Sequence, residues 1–345
     1  MPAAGYSFGR LWLRSLRTTD LSVHTLLDPL RLMASGAQAL WTLLRWRPRA
    51  VFTTGGYVAI PVLVAAALLR VPSIVWEGNL VPGRSVRFTA RLAGAIALSF
   101  DEAADRLAAR TYVTGTPIRT FAGLDRATAR ARLRLPAELP CLLVFGGSQA
   151  VRRLNRAVAE ALPELLPRMA VVHLAGEAGY ADALRQRETL PAELRERYRP
   201  HPFLRDEMAA ALLAADLLVG RAGSSTLAEA AALGLPMVVV PYPHAGGHQL
   251  ANAERLAAAG AARIVADEAF DVAALRGAAA LIDDAPALER MRAAARSFGR
   301  PGAGPAIAEL VLAFAERAPL PAAAVIERLS RGGAGADRRP GGGEA

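Results

Sequence analysis

Ser224, Ser225, Thr226, Glu229, His248 and Gln249 punctuate the otherwise apolar stretch GRAGSSTLAEAAALGLPMVVVPYPHAGGHQLAN, residues 220–252. Small hydroxyl residues after a glycine turn suit a helix start, where free N–H groups and the positive dipole end attract phosphate. Ser224 or Ser225 is expected to cap that helix. Glu229 falls in its second turn, amid Ala and Leu, where a carboxylate can accept two hydrogen bonds and so suits a ribose diol. The competing reading, a solvated helix glutamate, fits poorly with such apolar company. His244 and His248 stand four apart on a glycine loop without a third ligand nearby, so a zinc site is set aside.

Three further segments have the same texture. LLVFGGSQAVRRLN, residues 142–155, reads as strand, glycine turn and helix, with Ser148 at the helix start, and TTGGYVAIP, residues 53–61, repeats the form in the first half. WEGNLVPGR, residues 76–84, leaves a strand through Glu77 and Asn79, on the side of a parallel sheet where ligands collect. VTGTPIR ends on Arg119, which is placed either to reach a phosphate or as an ordinary surface arginine. Each segment alone is weak, because glycine after a strand is often there for packing.

What must position these groups is a pair of parallel sheets. Short apolar runs alternate with helical patterns, the mark of β-α-β units and an α/β fold. AVFTT, PSIVWE, AIALS and TYVTG form one set, while CLLVFGG, AVVHLAG, YRPHPF, DLLVG, MVVVPYP and AARIV form another. Two Rossmann-like domains follow, residues 1–118 and 119–318, with a disordered Pro-, Ala- and Gly-rich tail from 319 to 345. A helix is expected from Asp28 to Trp46, capped by Asp28 and Pro29, with Leu30, Met33, Ala37, Leu40 and Leu44 as its apolar stripe. Leu32, Trp41, Leu43 and Trp46 widen its apolar surface, and Arg31, Arg45, Arg47 and Arg49 fringe it. Such a helix suits an anionic membrane surface, unless protein covers both faces.

Composition excludes more than it explains. All 41 basic residues are arginine, so a Walker A loop, a Schiff-base lysine and lysine-dependent nucleotidyl transfer are out. Asp-X-Asp, Gly-X-Ser-X-Gly and Gly-X-Gly-X-X-Gly are absent as well. The net charge of +10 is spread along the chain without a nucleic-acid motif, and no nucleic-acid partner is expected. The hydrophobic fraction is 53%, yet Pro61, Arg70 and Pro72 break the richest window. With a lone Cys141 and no signal segment, a cytoplasmic location is expected.

Taken together, these segments, with HPFLRDEMAAALLAADLLVGRAG and HQLANAERL, resemble the MurG family over residues 25–315 in the same order. The resemblance implies a GT-B fold, two Rossmann-like domains facing across a cleft, with the last helix packing back on the acceptor- and membrane-side N-terminal domain. It implies an inverting, metal-independent hexosyltransferase without a cofactor. N-acetylglucosamine would pass from UDP-N-acetylglucosamine to the 4-hydroxyl of undecaprenyl-diphosphate-linked N-acetylmuramyl-pentapeptide, during peptidoglycan synthesis on the cytoplasmic face of the membrane. Other cell-wall enzymes are implied as possible partners. Carried over by position, Ser148 and Arg119 contact the diphosphate, Leu204 offers its backbone to uracil, and Ser225 and Thr226 face the phosphates. Glu229 takes the ribose, His248 and Gln249 read the sugar hydroxyls, and Asn79 lies near the sugar.

Two departures bear on activity. Gly78 stands where the family has glutamine, and the PHAGGHQ loop is one residue short. The family also opens with a strand and a Gly-Thr-Gly-Gly-His loop that carries its proposed base. The corresponding strand would be central, so a gap in the first sheet is expected, along with a true start upstream of Met1. Glu77 is then the remaining catalytic base candidate. A diacylglycerol glycosyltransferase of the same fold, and a non-catalytic UDP-sugar-binding subunit completed by a partner, are the alternatives.

Overall fold

The computed structural model describes residues 5–13, 23–146, 152–243 and 247–333. Two compact units divide the chain: Met1–Gly115 with Gly302–Ala345, and Thr116–Pro301. The first unit therefore includes the last helices among the described residues, and in the sequence the second unit is one uninterrupted stretch.

In the first unit, strands β1 (Val51–Thr53), β2 (Ser73–Glu77), β3 (Ala95–Leu98) and β4 (Thr111–Val113) form a parallel sheet in that order. Each short apolar run returns through a helical or turn segment on the sheet's face, which is what parallel pairing requires. All four residues of β3 are buried, as a covered parallel strand should be. The expected central gap is not found. β1 pairs directly with β2, Val51 opposite Ser73, and forms one margin of an unbroken ladder on which Phe52 is 40% exposed.

The helix Val23–Trp46 begins before Asp28, so Asp28 and Pro29 lie inside it rather than at its cap. Its buried face also differs from the expected stripe. Ser35, Ala39 and Leu43 are buried, the last two against Ala65 and Ala66 of the helix Ala59–Leu68. Leu30, Met33, Ala37 and Leu44 face outward, with Trp41 and Trp46. Where a helix carries two apolar faces, its own periodicity does not choose between them. The face with small residues lets a neighbouring helix approach closely, and dense packing decides. No helix among the described residues is long and apolar enough to cross a membrane.

The helices Ala303–Ala315 and Ala323–Ser330 complete this unit, burying Ile307, Leu310, Ile326 and Leu329 against Ile74, Ala95, Ala97 and Tyr112. The tail expected to be disordered from 319 thus contains a helix. Its Pro- and Ala-rich composition hides Ile326 and Leu329, spaced to share one face. Tyr112 donates to the carbonyl of Pro321 at 3.1 Å. Residues 334–345 lie outside the described residues.

The second unit has six parallel strands: β5 (Cys141–Phe145), β6 (Ala170–Leu174), β7 (Tyr198–His201), β8 (Leu217–Gly220), β9 (Met237–Val239) and β10 (Ala262–Ile264). Their order, β10-β9-β8-β5-β6-β7, is doubly wound, with the direction of winding reversed between β5 and β8. Ligand crevices form beyond the carboxyl ends of strands at such a reversal. Gly220 is required there, since a Cβ would stand 2.6 Å from the carbonyl oxygen of Phe145. Helix Arg152–Leu165 covers one face through Leu154, Val158, Ala161 and Leu165, at helical spacing.

Candidate functional site

At the β5/β8 reversal the helix Ser224–Leu233 starts directly after β8 and a short turn. The expected serine cap is absent. Gly223 occupies the cap position in extended backbone, and no side chain among the described residues bonds to the helix end. The first-turn N–H groups are thereby left for a ligand, which is the arrangement that binds phosphate. Ser225 and Thr226 stand in that turn. Ser148, the expected partner from the β5 side, lies outside the described residues, as does His244.

Glu229 follows in the second turn and is 6% exposed. Its Oε1 accepts from Nε of Arg119 at 2.6 Å, and Arg119 also donates to the carbonyl of Arg205 at 3.2 Å. Two residues assigned to neighbouring parts of one ligand are therefore brought together and hold each other. Their unequal exposure, 36% for the arginine side chain and 8% for the glutamate, leaves the cation free to leave and the carboxylate fixed.

Leu204 is buried just past β7, beside Phe203, whose ring is 60% exposed. Sequence reasoning passed over Phe203; an aromatic in a loop at a strand's carboxyl end was the available signal. His201, closing β7, is half-buried, and burial draws its imidazole below the usual histidine range. His248 and Gln249 open the helix His248–Ala258, preceded by Gly247 in the left-handed region at φ +78°. Gln249 Oε1 accepts from the Tyr242 N–H at 3.0 Å, which ties this helix start to the segment after β9 and orients the amide.

Arg221 was read as part of a turn. It is 5% exposed, pairs with Asp267 at 2.6 Å, donates to the Val240 carbonyl at 3.1 Å and lies over the Tyr242 ring. It joins the loops after β8, β9 and β10, so the ligand-side turns share one buried cation. A single arginine in a glycine-serine turn gives no sign of this in the sequence.

Glu77 and Asn79 belong to the first unit. Glu77, at the end of β2, is 4% exposed. Its Oε1 accepts from the backbone N–H and side-chain amide of Asn79 at 2.9 and 3.0 Å, and its Oε2 accepts from the Gly83 N–H at 2.9 Å. Both carboxylate oxygens thus shape the loop from 78 to 83. In the preceding loop, Gly55 and Gly56 adopt φ of +73° and +78°, and a Cβ on Gly55 would stand 2.8 Å from Val86.

Comparison with known proteins places these elements in company. Residues 1–98 match the glycosyltransferase family 28 N-terminal domain and residues 141–303 its C-terminal domain. The chain is 38% identical over 321 residues to the UDP-N-acetylglucosamine--N-acetylmuramyl-(pentapeptide) pyrophosphoryl-undecaprenol N-acetylglucosamine transferase of Prosthecochloris aestuarii, covering 88% of this chain and 83% of that one. It is 39% identical to the Roseiflexus sp. enzyme of the same description, over 71% of this chain and 64% of that protein's length. The crystal structure of Acinetobacter baumannii MurG superimposes with a TM-score of 0.65 at 29% identity, covering 83% of this chain and 79% of that one. Staphylococcus aureus MnaA, solved with UDP, shares the fold alone, with a TM-score of 0.62 at 13% identity over 86% of this chain and 83% of that one.

Proposed function

Because the chain belongs to the MurG family of N-acetylglucosamine transferases, we propose the following division of labour for its transfer of N-acetylglucosamine from the UDP donor to lipid-linked N-acetylmuramyl-pentapeptide. The chain is a hexosyltransferase of GT-B fold, and the six-stranded unit is its donor half. The uncapped start of the helix Ser224–Leu233, with Ser225 and Thr226, faces the diphosphate, and Ser148 adds a hydroxyl from the β5 side. Glu229 accepts from both ribose hydroxyls. The Leu204 backbone meets uracil, with Phe203 as a stacking face. His248 and Gln249 read the sugar hydroxyls.

Arg119 is the moving part. On donor arrival the ribose takes its place on Glu229, and the guanidinium turns to the diphosphate. In the reaction the muramyl 4-hydroxyl oxygen bonds to the anomeric carbon while the anomeric carbon–phosphate oxygen bond breaks. The departing oxygen keeps the electron pair as part of UDP, and the attacking hydroxyl gives up its proton to solvent water. Arg119 and the helix dipole stabilise the negative charge growing on the diphosphate, which is where preorganised donors contribute most. Glu77 holds Asn79 and its loop in position for the acceptor side.

The outward apolar face of the helix Val23–Trp46 supports a peripheral seat on the membrane that supplies the lipid acceptor. Leu30, Met33, Trp41, Leu44 and Trp46 are all more than half exposed, with Arg31, Arg45 and Arg49 as an anionic-lipid fringe.

The observation that carries the reading is the pairing of a buried Glu229 with Arg119 beside a helix start that no side chain among the described residues caps. Incubation with labelled UDP-N-acetylglucosamine and either the lipid-linked muramyl acceptor or diacylglycerol tests it. Label is expected to move to the muramyl lipid. Transfer to diacylglycerol alone, or UDP-sugar binding with no transfer to either, would reject it.

A further inference from the structure

In the four-stranded unit, at the end of the sheet where β1 and β2 begin, lies a cavity of about 430 Å³ that the transfer reaction does not use. Arg47, Arg49, Arg70 and Arg317 line it with a single carboxylate, Glu316. Three of these arginines follow helix ends: Arg47 after Val23–Trp46, Arg70 after Ala59–Leu68, and Arg317 after Ala303–Ala315. Their backbones lie in the left-handed region, at φ +47°, +54° and +56°. Such positions favour glycine, because a Cβ there crowds the following carbonyl. Every non-glycine residue of positive φ among the described residues is arginine, and three of the four meet at this one cavity.

A cation near a helix C-terminus is favoured by the dipole, and that accounts for one arginine at each end. It does not account for where these side chains go. None of the four guanidiniums has a hydrogen-bond or ion-pair partner among the described residues. Some arginines elsewhere in this chain do reach acceptors, as Arg130 and Arg197 do on backbone carbonyls. Four guanidiniums against one carboxylate give the cavity a net positive charge, and planar forked donors match phosphate oxygens.

We propose that this cavity is a binding site for a phosphate group carrying at least two negative charges, either free or on a lipid headgroup, separate from the donor site. Arg70 and Arg317 are its core, with Arg47 and Arg49 on its rim.

The left-handed backbone supplies an unusually clean test. Glycine at positions 70 and 317 removes the guanidinium and relieves backbone crowding, so R70G/R317G is expected to melt at or above the wild-type temperature. Titration calorimetry with inorganic pyrophosphate, at saturating UDP to fill the donor site, is expected to show binding to wild type. In R70G/R317G that binding should weaken by about tenfold or more per arginine removed. A second arm compares co-sedimentation with phosphatidylcholine vesicles with and without phosphatidylglycerol. Weaker sedimentation of the variant on phosphatidylglycerol, with pyrophosphate displacing the wild type, identifies a lipid phosphate. Pyrophosphate binding that distinguishes the two proteins while their sedimentation is equal identifies a free phosphate. If wild type and a folded R70G/R317G behave alike with both pyrophosphate and vesicles, the proposal is overturned, whatever the donor site does.

Discussion

Replacing Glu229 by glutamine tests the donor geometry at one atom. The carboxylate is 6% exposed and fixed on the second turn of its helix. If it accepts from both ribose hydroxyls, each bond is charge-assisted and contributes about 1.5–3 kcal/mol. The amide keeps one acceptor oxygen and turns the other position into a donor. At least one of the two bonds is then lost, about 1.5–3 kcal/mol, which is about 10- to 150-fold in UDP affinity. Losing the ion pair to Arg119 adds little, because that side chain is 36% exposed and its partnership is screened by solvent. Titration calorimetry of both proteins with UDP and 2′-deoxy-UDP closes a cycle. Wild type should prefer UDP by about tenfold or more, and E229Q should lose most of that preference. Equal affinity of wild type for the two nucleotides, or undiminished discrimination in E229Q, would refute the ribose assignment even if overall affinity fell.

Glu77→Gln deprives the Gly83 N–H of its carboxylate acceptor. If Glu77 is a loop anchor, kcat should fall by less than about tenfold with the acid limb of the pH–rate profile unmoved, against the ~10²- to 10⁴-fold loss of a general base; a larger loss with that limb abolished would restore Glu77 as the base. His173 is 2% exposed, accepts at Nδ1 from the Tyr198 hydroxyl at 2.9 Å and faces Asn155 Oδ1 at 3.0 Å, and burial draws its pKa down to about 3. The unfolded chain binds a proton near pH 6.5 that the folded chain refuses down to about 3, so stability falls as pH drops through that window, by about 2 kcal/mol between pH 6.5 and 5. Melting curves should show His173→Gln with a shallower decline than wild type over that range, and parallel curves would reject the assignment. A Leu30→Ser, Met33→Ser, Trp41→Ser variant should keep its melting temperature, since all three side chains are exposed, while losing most sedimentation with anionic vesicles; undiminished sedimentation would move the membrane seat elsewhere.

Local chemistry made much of the six-stranded unit legible. The apolar runs alternating with helical patterns marked out β5 to β10 as strands, and the GRAGSST turn announced a helix start. Other features were beyond a linear reading because they depend on partners distant in the chain. Arg119 and Glu229 are 110 positions apart, and only the folded unit shows them joined. Glu77 stood in the sequence as the remaining base candidate, and only the fold shows its oxygens accepting from the Asn79 and Gly83 N–H groups. The helix ending at Trp46 carries two apolar faces; Ala65 and Ala66 on a neighbouring helix determine which is covered.

By itself the sequence determined the class of fold, the strand-turn-helix units and the kinds of side chain available at their ligand ends, because periodicity, glycine turns and helix starts are local properties. Tertiary structure decided which of those side chains are committed and which remain open to a ligand. That decision rests on burial and on hydrogen-bond partners drawn from remote segments, and a buried carboxylate or guanidinium must be paired wherever in the chain its partner lies.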